Sequence, residues 1–179
     1  MRSALARHTV DITMKNGYPF VPKSSLSLRP GDFWGFKLKN ETWACGRVLQ
    51  LRLTGQGHRM WFFGALLEWN GKSKPTSELI SNSSTFRQGT MHIDAIRRTG
   101  LHVVGNRPLD LDGIEPWLCI NGNKIQRGYD YVRPWRRKDT DELPTFSYWQ
   151  DLYIWTLANY HFLGLSPTDH EVPPLPGEL

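Results

Sequence analysis

The chain has 179 residues, 39% of them hydrophobic and 22% charged, with a net charge of +5. That length suits one domain and a core large enough to stand without disulfide or metal staples. The composition excludes a disordered chain, and no apolar run is long enough to span a bilayer. The eight tryptophans are the compositional outlier. Indoles serve cores through their area, and they also dominate binding faces together with arginine. Lys and Arg recur over residues 1–39 and 124–138, whereas residues 139–179 contain neither.

In chain order, residues 1–25 are polar, with turns signalled by Asn16-Gly17, Pro19 and Pro22. Pro30-Gly31-Asp32 is a sharp turn, after which strand signals begin. Residues 33–38 are aromatic-rich, and residues 43–53 form a long β-like run. Thr54-Gly55-Gln56-Gly57 reads as a hairpin loop. Residues 59–69 are continuously apolar, which predicts burial on both faces or a bulge at Gly64. Residues 70–89 are loop-rich, with a helical turn near residues 77–80. Residues 91–97 fit either helix or strand, and residues 101–104 read as a strand. Asn121-Gly122-Asn123 between two apolar runs signals a hairpin.

A helix is expected over about residues 147–163. Ser147 and Gln150 form a capping-box pattern, and Gly164 sits where a C′ glycine belongs. The positions of its inward face fall at Trp149, Leu152, Tyr153, Thr156, Leu157, Tyr160 and Leu163. Residues 166–179 carry four prolines and read as an extended tail. The expectation is therefore a mainly β, α+β fold. A bent antiparallel sheet or small barrel over about residues 28–135 carries one C-terminal helix, in a single globular domain of residues 1–165.

Chemical motifs are weak. Gly55-Gln56-Gly57 lacks the Lys-Ser/Thr of a phosphate loop, and Asp110-Leu111-Asp112-Gly113 lacks the later ligands of a calcium loop. The six histidines show no ligand spacing, and Cys45 and Cys119 lie in apolar strand contexts. No catalytic residue, cofactor or metal is expected. Free thiols and the lack of a leader-like apolar segment point to the cytoplasm.

The segments Gly31-Asp32-Phe33-Trp34-Gly35-Phe36-Lys37-Leu38 and Trp43-Ala44-Cys45-Gly46-Arg47-Val48-Leu49 resemble the opening of the immunity protein 26 family of bacterial polymorphic toxin systems. The segment Ile96-Arg97-Arg98-Thr99-Gly100-Leu101-His102-Val103-Val104-Gly105 is a second match. The resemblance implies a mostly β protein that inactivates a cognate toxin by binding it, and it supplies no catalytic residues. Trp34, Arg47, Trp61, Arg97, Arg98, Trp135 and Arg136 are the candidates for a partner-binding surface, because Trp and Arg supply most hot-spot energy. The rival reading places the tryptophans in the core and has Arg47 or Arg98 tie loops through carboxylates such as Asp32 or Asp94. The alternative function is a nucleic-acid-binding small barrel or barrel-type ribonuclease. It would stack bases on Trp34, Trp61 and Trp135 beside Arg47, Arg133, Arg136 and Arg137.

Overall fold

The computed structural model of the protein describes residues 17–150 and 152–165. Four strands follow one another as an antiparallel meander: β1 (Asp32–Lys37), β2 (Trp43–Leu51), β3 (Trp61–Gly71) and β4 (Thr85–His92). Helix α1 (Asp94–Arg97) follows, and β5 (Gly105–Asn106) then returns to pair with β1. A separate three-stranded meander contains β6 (Leu118–Asn121), β7 (Lys124–Arg127) and β8 (Asp130–Pro134). Next come α2 (Asp139–Glu142), β9 (Tyr148–Trp149) and α3 (Tyr153–Leu163). The larger sheet has the order β5-β1-β2-β3-β4-β9, with β9 parallel to β4. It stays open, so of the two expected architectures the protein adopts the bent sheet with its C-terminal helix and not the closed barrel.

The apolar run of β3 is explained by burial on both faces. Side chains alternate across a strand. Phe62 and Leu66 therefore join one core with Trp34, Phe36, Val48, Met91 and Ile96, covered by Ile154, Trp155 and Ala158 of α3. Phe63, Ala65 and Leu67 join a second core with Phe33, Cys45 and Leu49, covered by Ile80, Ile114, Cys119 and Phe146. Each such side chain contributes about 1.5–3 kcal/mol when fully buried, so a strand loaded on both faces anchors the whole sheet. An irregularity does occur beside Gly64. The extra residue is Leu49 of β2, since Val48 pairs with Gly64 and Gln50 with Phe63.

The residues that carry the family resemblance are architectural. Gly31 has φ +91°, and a Cβ there would stand 2.5 Å from the Arg107 carbonyl, so only glycine fits. Asp32 opens β1 fully buried. It accepts hydrogen bonds from the Tyr18 hydroxyl (2.5 Å), the Asn106 amide (2.8 Å) and the Arg29 N–H (2.9 Å). A Cβ on Gly46 would lie 2.2 Å from the Trp34 ring, so this glycine is the space into which Trp34 packs.

Local expectations change at three places. Residues 85–89, expected within a loop-rich stretch, are the first part of β4, where they pair with β3. Residues 101–104 do not form a strand. Leu101 takes φ 65°, and Val103 makes only an isolated bridge to Phe20. Ser147 does not cap a helix: its carbonyl accepts the Thr90 N–H at 2.8 Å, Tyr148 and Trp149 form β9, and the helix begins at Tyr153. The buried face also differs in phase. Tyr153 and Tyr160 are exposed, while Ile154, Trp155, Ala158 and Asn159 face the sheet. Two polar ties select this phase. The Trp155 indole donates to the Lys37 carbonyl (2.8 Å), and Asn159 Oδ1 accepts the Lys39 N–H (2.9 Å). Gly164 does end the helix in the left-handed conformation, with its N–H on the Tyr160 carbonyl. The proline-rich tail lies outside the described residues.

Candidate partner-binding cleft

The seven candidate contact residues do not gather on one surface. Trp34 and Arg47 are fully buried. Trp34 stands edge-on to Phe62, with ring centroids 5.9 Å apart. Arg47 donates to Asp112 Oδ2 (2.7 Å), to the Pro108 carbonyl (3.1 Å) and to the Arg107 carbonyl. Burial leaves neither with surface to offer a partner, and the loop-tying reading of Arg47 holds, with Asp112 as its carboxylate. Arg97 ties α1 to the N-terminal segment by donating to the Pro22 carbonyl (2.9 Å), the Lys23 carbonyl (2.5 Å) and Asp94 (3.2 Å). Arg98, half-buried, closes α1 through its N–H on the Asp94 carbonyl. Trp61 is half-buried at the start of β3, while Trp135 and Arg136 are exposed just past β8.

The Arg47–Asp112 pair has a testable pH signature. Burial alone would raise the Asp112 carboxyl. Hydrogen bonds from Arg107, the Asn82 N–H and Arg47 overcome that and hold it at about 2. Asp139 is held at about 2 as well, chiefly by hydrogen bonding from Arg133. An unfolded Asp titrates near about 3.9. These depressed groups stabilise the fold fully above that value, and the contribution is lost as pH falls through about 2. Asp32, which burial pushes up, works in the opposite sense. Urea unfolding followed against pH should show stability falling between about pH 5 and 2. Asp112→Asn should flatten that slope, and an unchanged slope would remove the pair from the account.

The exposed candidates adjoin a cleft of about 550 Å³ between the chain after β2 and the three-stranded sheet. Gln50 sets the spacing of its walls. Its amide donates to Asp130 (2.8 Å), and its carbonyl accepts the Tyr129 N–H (2.8 Å). Gly128 lets them approach, since a Cβ there would stand 2.2 Å from Gln50 Oε1. Aromatic rings run through the floor. Trp61 meets Tyr148 at 6.1 Å, Tyr148 meets Phe146 at 5.2 Å, and Phe146 packs on Phe63 at 5.8 Å. Arg52 lies 6.0 Å from the Tyr129 ring centroid. Burial pushes the Tyr129 phenol up to about 12, so it stays neutral.

Of the lining residues Tyr148 is 58% and Leu53 70% exposed, and Tyr131, Val132 and Trp135 are open to solvent on and just past β8. The Trp135 N–H bonds the Asn123 carbonyl (2.9 Å), which fixes its backbone next to Lys124 of the lining. The turn after it is fixed by Asp139, which takes a two-pronged bond from Arg133 (2.8 and 2.7 Å) and the Arg136 N–H (2.7 Å). Arg52 and Lys124 line the cleft, and Arg136, Arg137 and Lys138 follow Trp135. Asp139 is paired with Arg133, while Asp130, bonded only by the neutral Gln50 amide, keeps its charge, so Arg52 and Lys124 against Asp130 leave the lining with a small cationic excess.

Sequence reasoning missed Tyr131, Tyr148 and Arg52. Tyr148 fell inside the expected helix, although its period-two spacing from Phe146 carries a strand signal. The chemistry offered is contact chemistry: rings to stack on and cations to pair. Both thiols are buried and pushed up, Cys119 to about 11 and Cys45 further, which keeps them from acting as thiolates at neutral pH. Among the described residues no cluster of His, Cys, Asp and Glu has the geometry to hold a metal, and no helix is long and apolar enough to cross a membrane.

Comparison with known proteins gives one match. The family model described as Immunity protein 26 covers residues 29–130, more than half of the chain. No curated protein and no solved structure matches it. The matched span runs from the turn before β1 to the start of β8, taking in the Gly31-Asp32 turn, the Gly46-Arg47-Val48 strand and the Arg47–Asp112 tie. The chain belongs to the immunity protein 26 family.

Proposed function

We propose that this protein neutralises a cognate polymorphic toxin in the bacterial cytoplasm by binding it directly, without catalysing a reaction. Family membership supports an immunity role. The observation that carries the choice of face is the group of exposed rings and cations around the cleft. Large aromatic side chains left in water beside arginines on a rigid frame are what a protein interface buries as its hot spots. Trp135, Arg136 and Trp61 take part from the original candidates, with Tyr131 and Tyr148 added. Trp34 and Arg47 act from the core. The cationic face implies a toxin surface that is neutral or acidic at the contact, because steering depends on the facing patches and not on total charge.

The test uses the toxin encoded beside the gene. Trp135→Ala and Tyr148→Ala should each stay folded while losing about 1–2 kcal/mol of stability, since Trp135 is only 39% exposed and Tyr148 packs on Phe146 and Trp61. Binding by calorimetry should weaken by about 2 kcal/mol or more, roughly thirtyfold in Kd. Wild-type affinity in both variants and in Arg136→Ala would remove the cleft from the toxin interface. Binding of single-stranded RNA well below about 10⁻⁶ M in physiological salt, falling steeply as salt rises, would favour a nucleic-acid reader instead.

A further inference from the structure

A second pocket, of about 350 Å³, lies beside β1 and shares no lining residue with the cleft. Gly35 and Trp43 form part of it. By strand alternation they sit with Phe33 and Cys45, on the sheet face away from α3. The Trp43 indole makes one wall, with Pro19, Pro75 and Val104 around it. A Cβ on Gly35 would stand 2.3 Å from Pro75, so the missing side chain is what lets Pro75 close against the strand. Lys74 lines the pocket with its ammonium 5.5 Å from the Trp43 ring centroid, which gives an apolar slot one cation, while Lys37 stands 5.9 Å from the same ring outside the lining. Lys37 also pairs with Glu41 at 2.5 Å.

A slot walled by an indole and proline rings fits a polyproline II segment. Such a segment is stiff before it binds, loses little entropy on docking, and packs its pyrrolidine rings against aromatic faces. The chain carries a matching sequence. Residues 172–176 read Val-Pro-Pro-Leu-Pro, with Glu171 before them and Glu178 after, and no Lys or Arg follows Lys138. Acids flanking an apolar proline run complement the Lys74 ammonium beside the indole, Lys37 being already paired with Glu41. The chain also passes near the pocket. Trp155 and Asn159 of α3 are bonded to Lys37 and Lys39, next to the turn that leads into Trp43. The chain leaves α3 beside β3 and β4, where His161 bonds Glu68 and stacks on Phe86, and from Leu165 to Val172 seven residues reach about 23 Å fully extended.

We infer that the pocket beside Trp43 receives the chain's own proline-rich stretch 172–176 as an intramolecular strap. This does not depend on the toxin reading, because it uses a different pocket. Full-length protein labelled with 5-fluorotryptophan gives one resonance per indole, and Trp43→Phe assigns the relevant signal. Replacing Pro173, Pro174, Leu175 and Pro176 together by serine should shift the Trp43 resonance and leave the six buried or distant indoles other than Trp155 in place. A synthetic peptide of residues 166–179 added to that variant should return the Trp43 resonance towards its wild-type position with saturation, while the serine-substituted peptide should not. An unmoved Trp43 signal in the variant, or no response to the peptide, overturns the inference. A wild-type Trp43 shift that depends on protein concentration, with dimers in sedimentation, also overturns it, because the stretch then comes from a second copy.

Discussion

Arg47→Ala should cost about 3–5 kcal/mol of stability, the range for breaking a buried ion pair. The loss has three parts. Asp112 loses one of its two arginines, while Arg107 still holds it through bonds of 2.9–3.0 Å. The Arg107 and Pro108 carbonyls lose their donor. The volume of a fully buried side chain is left empty between β2 and the 109–112 turn. For a chain of this length each kcal/mol moves the midpoint by about 2–4 °C, so thermal unfolding should fall by roughly 10 °C. Arg47→Lys should recover only part of this, because an ammonium lacks the planar fork that serves a carboxylate and carbonyls together. At a temperature where the alanine variant is folded, toxin affinity should equal wild type. A variant that unfolds like wild type, or one that loses affinity while fully folded, would return Arg47 to the binding surface.

Trp34→Ala should be of similar size, about 3–5 kcal/mol, through lost burial and the cavity left behind. Trp34 is 0% exposed between Phe62 and the bare backbone of Gly46. The same packing can be attacked from the other side. Gly46→Ala adds one methyl where the nearest ring atom is 2.2 Å away, and overpacking of this kind costs about 1–3 kcal/mol. In the double variant the methyl would meet no ring, so the two losses should not add. Full additivity in denaturant unfolding would mean that Gly46 and Trp34 are not packed as partners.

The sequence alone determined the strand-rich character, the hairpin around Gly122, the end of α3 at Gly164 and the family, and it narrowed residues 59–69 to two-sided burial or a bulge at Gly64. These features rest on local chemistry, such as turn residues, glycine at positive φ and the period of apolar side chains, and each is written within a few residues. The tertiary structure alone decided which tryptophans and arginines are inside. Trp34 and Trp135 have the same side chain, and only the packing of Gly46 against one and solvent against the other separates them. Arg47 finds Asp112 sixty-five positions away, a pairing that no local pattern encodes. The start and phase of α3 were decided in the same way. Residues 147–163 are apolar on more than one helical face, so periodicity permits several phases, and the bonds from Trp155 and Asn159 to β1 and the turn after it select one. The cleft forms where Gln50 and Gly128 meet across two sheets that also share the core around Phe63 and Cys119. Its exposed rings therefore became visible as a surface only when distant segments were assembled, since exposure is a property of the packed chain and not of any stretch of it.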